Sequence, residues 1–347
     1  MSLVRFLVAI AISVPLYGAC VETLAPYKTA QLSWAEYPRL QDVAWVDAER
    51  VALATWHGVS VYSIPHGRAS WLVPLDTVEN VMRVSSDGRT IVAANAMYSM
   101  IAADAESGKV VAQTNNLPVR VTDLAYGSGH LTILGTTNGK DVPAAMLYAG
   151  AITQPVEKYR AIGPLDADQA LVARYALVTQ GGSVVRASDG SIETIVPWRA
   201  GIQHVSASSA LQQQDAISLS ALRVANIDDL MKRYASDFPG RYTNILNKQP
   251  IADDIIATNE GTAVVVRHVE SDRVHWTLWF VDGSAVRRKV DLAAEQAYPY
   301  GGHFRCDARG GQVACVFLTL TKVGEPPAFN RLLLFSLRDI HRAPGCK

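Results

Sequence analysis

Asn80 to Gln113 reads NVMRVSSDGRTIVAANAMYSMIAADAESGKVVAQ. Short runs rich in β-branched and small apolar residues, NVMRVS, TIVAANA, MIAADA and VVAQT, alternate with turn chemistry at Ser86-Asp87-Gly88-Arg89 and Glu106-Ser107-Gly108-Lys109. Asp-Gly and Ser-Gly supply the positive φ angles that tight hairpins need. Four strands in about 35 residues make a small sheet that cannot bury both of its faces alone, so such units must pack side by side.

Similar openings recur at Asp42 (DVAWVDAERVALAT), Asn80, Asp123 (DLAYGSGHLTILGT) and Asp168 (DQALVARYALVT). They continue at His204 (HVSASSALQQQDAISLS), Asp254 (DIIATNEGTAVVVR) and His303 (HFRCDARGGQVACVFL). The spacing is about 36 to 50 residues, the period of propeller blades. The expectation is an all-β chain, a seven-bladed β-propeller of four-stranded antiparallel blades. It divides into a signal segment at 1–20, an N-terminal segment at 21–36 and one propeller domain at 37–347. A closed ring needs its two ends to meet, and Gln31 to Trp34 is the candidate strand beside Arg331 to Leu337.

The pattern resembles the seven-bladed propellers of the WD40-like and quinoprotein-like superfamilies over nearly all the chain beyond the leader. Its most specific piece is the Ser85-Ser86-Asp87-Gly88-Arg89 turn, which looks like the first hairpin of a WD40 blade. The paired Gly-His and Trp-Asp landmarks of WD40 repeats are absent. The resemblance therefore implies architecture and carries over no functional residue.

The chain opens MSLVRFLVAIAISVPLYGAC, with Arg5 before an apolar run from Phe6 to Leu16 and small residues before Cys20. That layout is a secretory signal, too short to span a bilayer. Gly18-Ala19-Cys20 resembles a bacterial lipobox, which makes Cys20 the candidate lipidation residue; Leu16 and Tyr17 depart from the pattern. The alternatives are a periplasmic or secreted protein and an envelope lipoprotein, any membrane contact being through the N-terminus. No later stretch approaches ~18 consecutive apolar residues.

Lys plus Arg and Asp plus Glu number 32 each, so no global field draws nucleic acid, and no basic stripe interleaves with aromatics. Hydrophobic residues make up 49% and charged residues 18%, which suits a large sheet-rich core and excludes a disordered chain.

Cys306 and Cys315 flank DARGGQVA. A two-residue Gly310-Gly311 turn pairs Arg309 with Gln312 and, counting outward, Cys306 with Cys315 at a non-hydrogen-bonded position, within reach of a disulfide. Cys346 is then left for an intermolecular bond if Cys20 is lipidated, or for a bond to Cys20 if it is not.

The polar residues that open the units, Asp42, Asn80, Asp123, Asp168, His204, Asp254 and His303, are candidates to converge at a central channel. The carboxylates Asp42, Asp123, Asp168 and Asp254 form a candidate site for a divalent cation at its mouth; the competing reading is that these side chains cap turns. There is no G-x-S-x-G, H-E-x-x-H or C-x-x-C signature. Two insertions interrupt the repeat. Ile227 to Asp253 carries Tyr234, Phe238 and Tyr242 among charges, the candidate partner-binding residues, and Lys322 to Arg331 is proline-rich around Phe329. Two functions stand: a protein-binding scaffold for an envelope protein or complex, and a periplasmic hydrolase or quinoprotein-like enzyme with its site at the channel mouth.

Overall fold

The computed structural model describes residues 22–33, 35–37, 40–74, 81–95, 98–137, 145–162, 182–187, 189–195, 201–205, 214–217, 219, 250–270, 273–283, 285–297, 304–317 and 329–342. Two N-terminal strands, β1 (Glu22–Leu24) and β2 (Lys28–Ser33), precede the first blade. Blade 1 is β3 (Asp42–Trp45), β4 (Arg50–Thr55), β5 (Gly58–Ser63) and β6 (Arg68–Pro74). Blade 2 is β7 (Val81–Ser86), β8 (Thr90–Asn95), β9 (Met100–Asp104) and β10 (Val110–Thr114). Blade 3 is β11 (Val119–Gly127), β12 (His130–Thr137), β13 (Ala145–Ala151) and β14 (Arg160–Ile162). Blade 4 is β15 (Ser183–Arg186), β16 (Ile192–Ile195), β17 (Ile202–Val205) and β18 (Gln214–Ile217). Blade 5 is β19 (Ile251–Thr258), β20 (Gly261–Glu270), β21 (Arg273–Asp282) and β22 (Ala285–Ala297). Blade 6 holds β23 (Phe304–Arg309), β24 (Gln312–Phe317) and β25 (Phe329–Ser336), and β26 (His341–Arg342) follows it.

The blades number six, not seven. The inner strands β3, β7, β11, β15, β19 and β23 each lie against the next, and β23 returns to β3, so the ring closes. The unit expected to open at His204 is the third strand of blade 4, whose inner strand starts at Ser183; the opening at Asp168 lies outside the described residues. Every strand of a blade carries the same apolar alternation and turn chemistry, so an internal strand imitates a blade's first strand. Blade 2 has the four strands that its sequence spells out.

Each sheet packs on both faces, which is why strands such as β4 (RVALAT) and β5 (GVSVYS) are apolar or small on both sides. The core is correspondingly split into six clusters, one per junction. Ala52, Val61 and Val84 fill the gap between blades 1 and 2, and Val92, Leu117 and Leu131 that between 2 and 3. Trp276, Phe304, Phe317 and Phe335 fill that between 5 and 6. Trp276 stacks on Phe304 with ring centroids 4.5 Å apart. Trp279, three residues on, faces blade 4 and packs with Ile195, Ile202 and Ile255.

Closure uses the N-terminus. β2 pairs antiparallel with β25, Gln31 opposite Arg331 and Ser33 opposite Phe329, and so fills the outer position of blade 6 as its sequence suggests. Both ends also extend blade 5: β1 runs parallel to β22 and antiparallel to β26.

In the β23–β24 hairpin Arg309 pairs with Gln312 and Cys306 with Cys315, and the cysteines form a disulfide with a Cα–Cα distance of 4.1 Å. It closes a loop with a sequence separation of 9, already ordered by the hairpin. Replacing both cysteines by alanine is expected to cost about 1–2 kcal/mol in urea unfolding, less than the ~3 kcal/mol of a free loop of similar size.

Candidate functional site

The inner strands of blades 1 to 6 carry in turn Asp42, Arg83, Asp123, Ser183, Asp254 and Arg305, a cluster linked by ion pairs and hydrogen bonds (Arg83 with Asp123, Asp254 with Ser183 and Arg305) and by the charges that act on Asp42. All six are buried. In blades 2, 3 and 5 the register shifts immediately before the ring residue, between Val81 and Arg83, Val121 and Asp123, and Ala252 and Asp254. A bulge inserts one residue and turns the following side chain to the other face. Carboxylates occupy the odd blades; the even ones carry Arg, Ser and Arg.

These side chains hold the blades together. Asp42 Oδ2 accepts from Val84 N at 3.0 Å, Asp123 Oδ2 from Val184 N at 2.8 Å and Asp254 Oδ2 from Cys306 N at 2.8 Å. The remaining junctions use Ser85 Oγ with Tyr126 N (3.0 Å), Ser183 Oγ with Ile255 N (3.2 Å) and Asp307 Oδ2 with Trp45 N (2.7 Å). All six junctions thus carry a side chain that accepts from a backbone N–H of the following blade. Such bonds satisfy inner-strand donors that no fifth strand covers.

Asp254 is the most heavily engaged. Its Oδ1 also accepts from Ser183 Oγ at 2.5 Å, Ile255 N at 2.9 Å and Arg305 Nη1 at 3.3 Å. Arg83 Nε lies 3.7 Å from Asp123 Oδ1 and donates to Thr122 O. The ring holds three carboxylates and two guanidiniums, with Ser183 where a third cation would balance it. Burial is the main influence on Asp42 and pushes its carboxyl up to about 8; Arg83 and Arg305 oppose the shift, and Asp123 and Asp254 reinforce it. Burial also raises Asp254, and lifts Asp307 to about 6. A ring that keeps one proton is neutral.

A cavity of about 240 Å³ extends from the ring toward the β3–β4 and equivalent hairpins, lined by Asp42, Asp123, Asp254, Tyr126, Arg186 and Arg309 among others. The structure thus brings together Asp42, Asp123 and Asp254 of the expected carboxylates; Asp168 lies outside the described residues. Among the described residues, no group of three or more His, Cys, Asp or Glu side chains is arranged to hold a metal ion. Asn80 and His303 are likewise outside the described residues, and His204 sits in β17 with Nδ1 3.5 Å from Glu193 Oε1. Reading the sequence did not find Arg83, Ser183 and Arg305. The two arginines lie in strands that start as Val-Met-Arg and Phe-Arg-Cys, and a charge flanked by apolar residues in an inner strand is the signal that was there to use.

Tyr234, Phe238 and Tyr242 lie outside the described residues. The insertion that carries them ends before Asp253, which is buried in β19 and accepts from Trp276 Nε1 at 2.9 Å. The expected C-terminal bound is corrected to the residue before Ile251, where β19 begins.

A second titratable cluster sits on the face of blade 5 toward blade 4. His268 and His275 pair directly across β20 and β21 with stacked rings 4.9 Å apart, and His268 Nε2 bonds Thr277 Oγ1 at 2.8 Å. Burial, then the charges of His275 and Lys289, push His268 down to about 4. Its unfolded value is near 6.5, so its contribution to stability is present above pH 6.5 and is lost as pH falls toward 4. His268→Gln is expected to recover on the order of 1–2 kcal/mol of the loss between pH 6.5 and 4.5, allowing for solvent screening, as read by denaturant unfolding at the two pH values.

Among solved structures, the chain is similar to the WD40 repeats of RRP9, at 12% identity and TM-score 0.54 over 91% of this chain and 99% of that one. It is also similar to the Cps50 (Swd1) β-propeller domain of Myceliophteria thermophila, at 11% identity and TM-score 0.49 over 91% and 99%. A chain in a mitotic checkpoint complex structure is similar at 12% identity and TM-score 0.49, over 97% and 98%. No family model matches the chain, and no curated protein matches it. The class defined by fold and ring is a β-propeller with WD40-like neighbours. The likeness is one of fold.

Proposed function

We propose that this protein is an exported propeller that binds a protein partner of the cell envelope on one face of its disc. The observation that carries the reading is the inequality of the two faces. On the face where the inner strands end, consecutive strands are joined by short stretches, from two residues between β23 and β24 to eight between β17 and β18. On the face where the inner strands begin, the connections reach eleven residues between β24 and β25 and 33 between β18 and β19. Long chain segments between the strands of a rigid scaffold are where binding surfaces are commonly built. The inter-blade role of the channel carboxylates supports the same reading, since it gives those groups a structural task. Tyr234, Phe238 and Tyr242 are the proposed contact residues. Export is supported by the leader sequence and by the Cys306–Cys315 disulfide.

The test is gentle purification of the tagged protein from its native envelope, with co-purifying proteins quantified by mass spectrometry. Two variants accompany it: residues 228–248 replaced by a short Gly/Ser linker, and a Tyr234/Phe238/Tyr242→Ala triple variant. A near-stoichiometric partner retained by the wild type and reduced at least tenfold in both variants is expected. A wild-type protein that comes out alone sinks the reading.

A further inference from the structure

A second cavity, of about 350 Å³, opens at the seam between blades 6 and 1, where the ring closes. Three turns of the short-looped face meet there: residues 46–49 between β3 and β4, Gly310 and Gly311 between β23 and β24, and the 3₁₀ turn Leu337–Asp339 that follows β25. Leu337 N donates to Gly311 O at 2.8 Å and ties the last two together. The polar side chains in its wall are Arg309, Arg338, Asp47, Gln312 and Ser336.

The carboxylate is already engaged. Asp47 Oδ2 accepts from Arg50 Nε at 2.6 Å and Oδ1 from Glu49 N at 2.9 Å, so its charge is balanced within its own turn. The donors are not. Arg309 Nη1 donates to Val46 O and to Trp45 O, and the guanidinium rests on Gly88 of blade 2, where a Cβ would lie 2.9 Å from Nη2. The head is thus held in place while Nε and Nη2 have no acceptor among the described residues. Asp307, whose carboxylate feels the charge of Arg309, lines the channel cavity and not this one. Arg338 has no ion-pair partner among the described residues. Ser336 precedes the 3₁₀ turn without capping it, and the N–H groups of Gly310 and Gly311 make no backbone hydrogen bond.

We propose that this seam cavity binds a small phosphate monoester, with the phosphate between Arg309 and Arg338 and a hydroxyl-bearing body against Gln312, Ser336 and Asp47. Two guanidiniums beside a balanced carboxylate call for a dianion. A phosphate monoester carries about −1.5 to −2 at pH 7, whereas a carboxylate carries one charge. Its oxygens also match the planar fork of a guanidinium, which bonds phosphate in bidentate fashion. The volume lies at the lower end of the roughly 300–1,000 Å³ of small-ligand sites, which limits the body to a short polyol or a single sugar. The cavity is on the face opposite the proposed partner surface, so neither reading depends on the other.

The experiment is isothermal titration calorimetry of the full chain with glycerol 3-phosphate, glucose 6-phosphate and inorganic phosphate, and with glucuronate as the singly charged comparison. At least one phosphate probe is expected to bind, and Arg338→Gln to weaken it at least tenfold, the scale of a lost hydrogen bond to a charged group. Because Arg338 is exposed and pairs with nothing else described, its replacement is expected to leave the urea unfolding midpoint unchanged, so lost binding reads the site and not the fold. Gly88→Ala displaces the Arg309 head without removing a charge and is expected to weaken the same probe. Glucuronate bound as tightly as glucose 6-phosphate would overturn the phosphate assignment. Absence of binding by all the phosphate probes, or binding that Arg338→Gln leaves intact, would overturn the site.

Discussion

Asp254→Ala is expected to lower the stability of the protein by about 3–5 kcal/mol in urea unfolding, the scale for removing one partner of a buried ion pair. The loss has three parts. Arg305, 1% exposed and 3.3 Å from Asp254, is left as a buried charge without its nearest carboxylate. Cys306 N loses its acceptor across the blade 5–6 junction, and Ser183 loses the carboxylate to which its hydroxyl donates across the 4–5 junction. A substitution in one side chain thus loosens two of the six seams. Glu106→Ala is the contrast: its 3.0 Å ion pair with Arg50 is exposed, and its loss is expected to cost under ~1 kcal/mol. A loss at Asp254 no larger than that at Glu106 would remove the ring from the account of what holds the disc together.

Much of this architecture was legible in the residues. Blade 2 was readable strand by strand because Asp87-Gly88 and Ser107-Gly108 fix its turns locally, and Gly88 and Gly108 do take positive φ. The Cys306–Cys315 pairing was readable because a Gly-Gly turn sets the register of the whole hairpin. The blade count was not, since His204-Val205 within β17 carries the same polar-then-apolar step as the start of an inner strand and only long-range packing tells them apart. The ring was half legible. Asp42, Asp123 and Asp254 stand out as polar openings, but the bulges before Arg83, Asp123 and Asp254 change which face a side chain takes, and alternation alone cannot place them. The role of the carboxylates was also out of reach, because each accepts from a residue 42 to 61 positions away, such as Val84 for Asp42 and Val184 for Asp123.

The uneven charge of the ring has a consequence for pH. Asp42 titrates at about 8 in the folded protein against an ordinary value of 3.8. Between those values the folded protein keeps a proton that the unfolded chain has released, so stability falls as pH rises through the window and levels off above it. The slope for one group cannot exceed about 1.4 kcal/mol per pH unit, which gives a loss on the order of 2–3 kcal/mol between pH 6 and 8. Asp307, at about 6, contributes mainly below that range, and His268 acts with the opposite sign below 6.5, so the interval from 6.5 to 8 isolates the ring. Asn at position 42 keeps one acceptor and has no proton to lose. Asp42→Asn is therefore expected to be less stable than the wild type at pH 6, because it forfeits a bond to Val43 N or Val84 N, and to close or reverse that gap by pH 8. Guanidinium unfolding of both proteins at half-unit steps measures it. Parallel curves would mean that Asp42 is already ionised at pH 6 and that the two arginines, despite being outnumbered, suffice to hold three buried carboxylates charged.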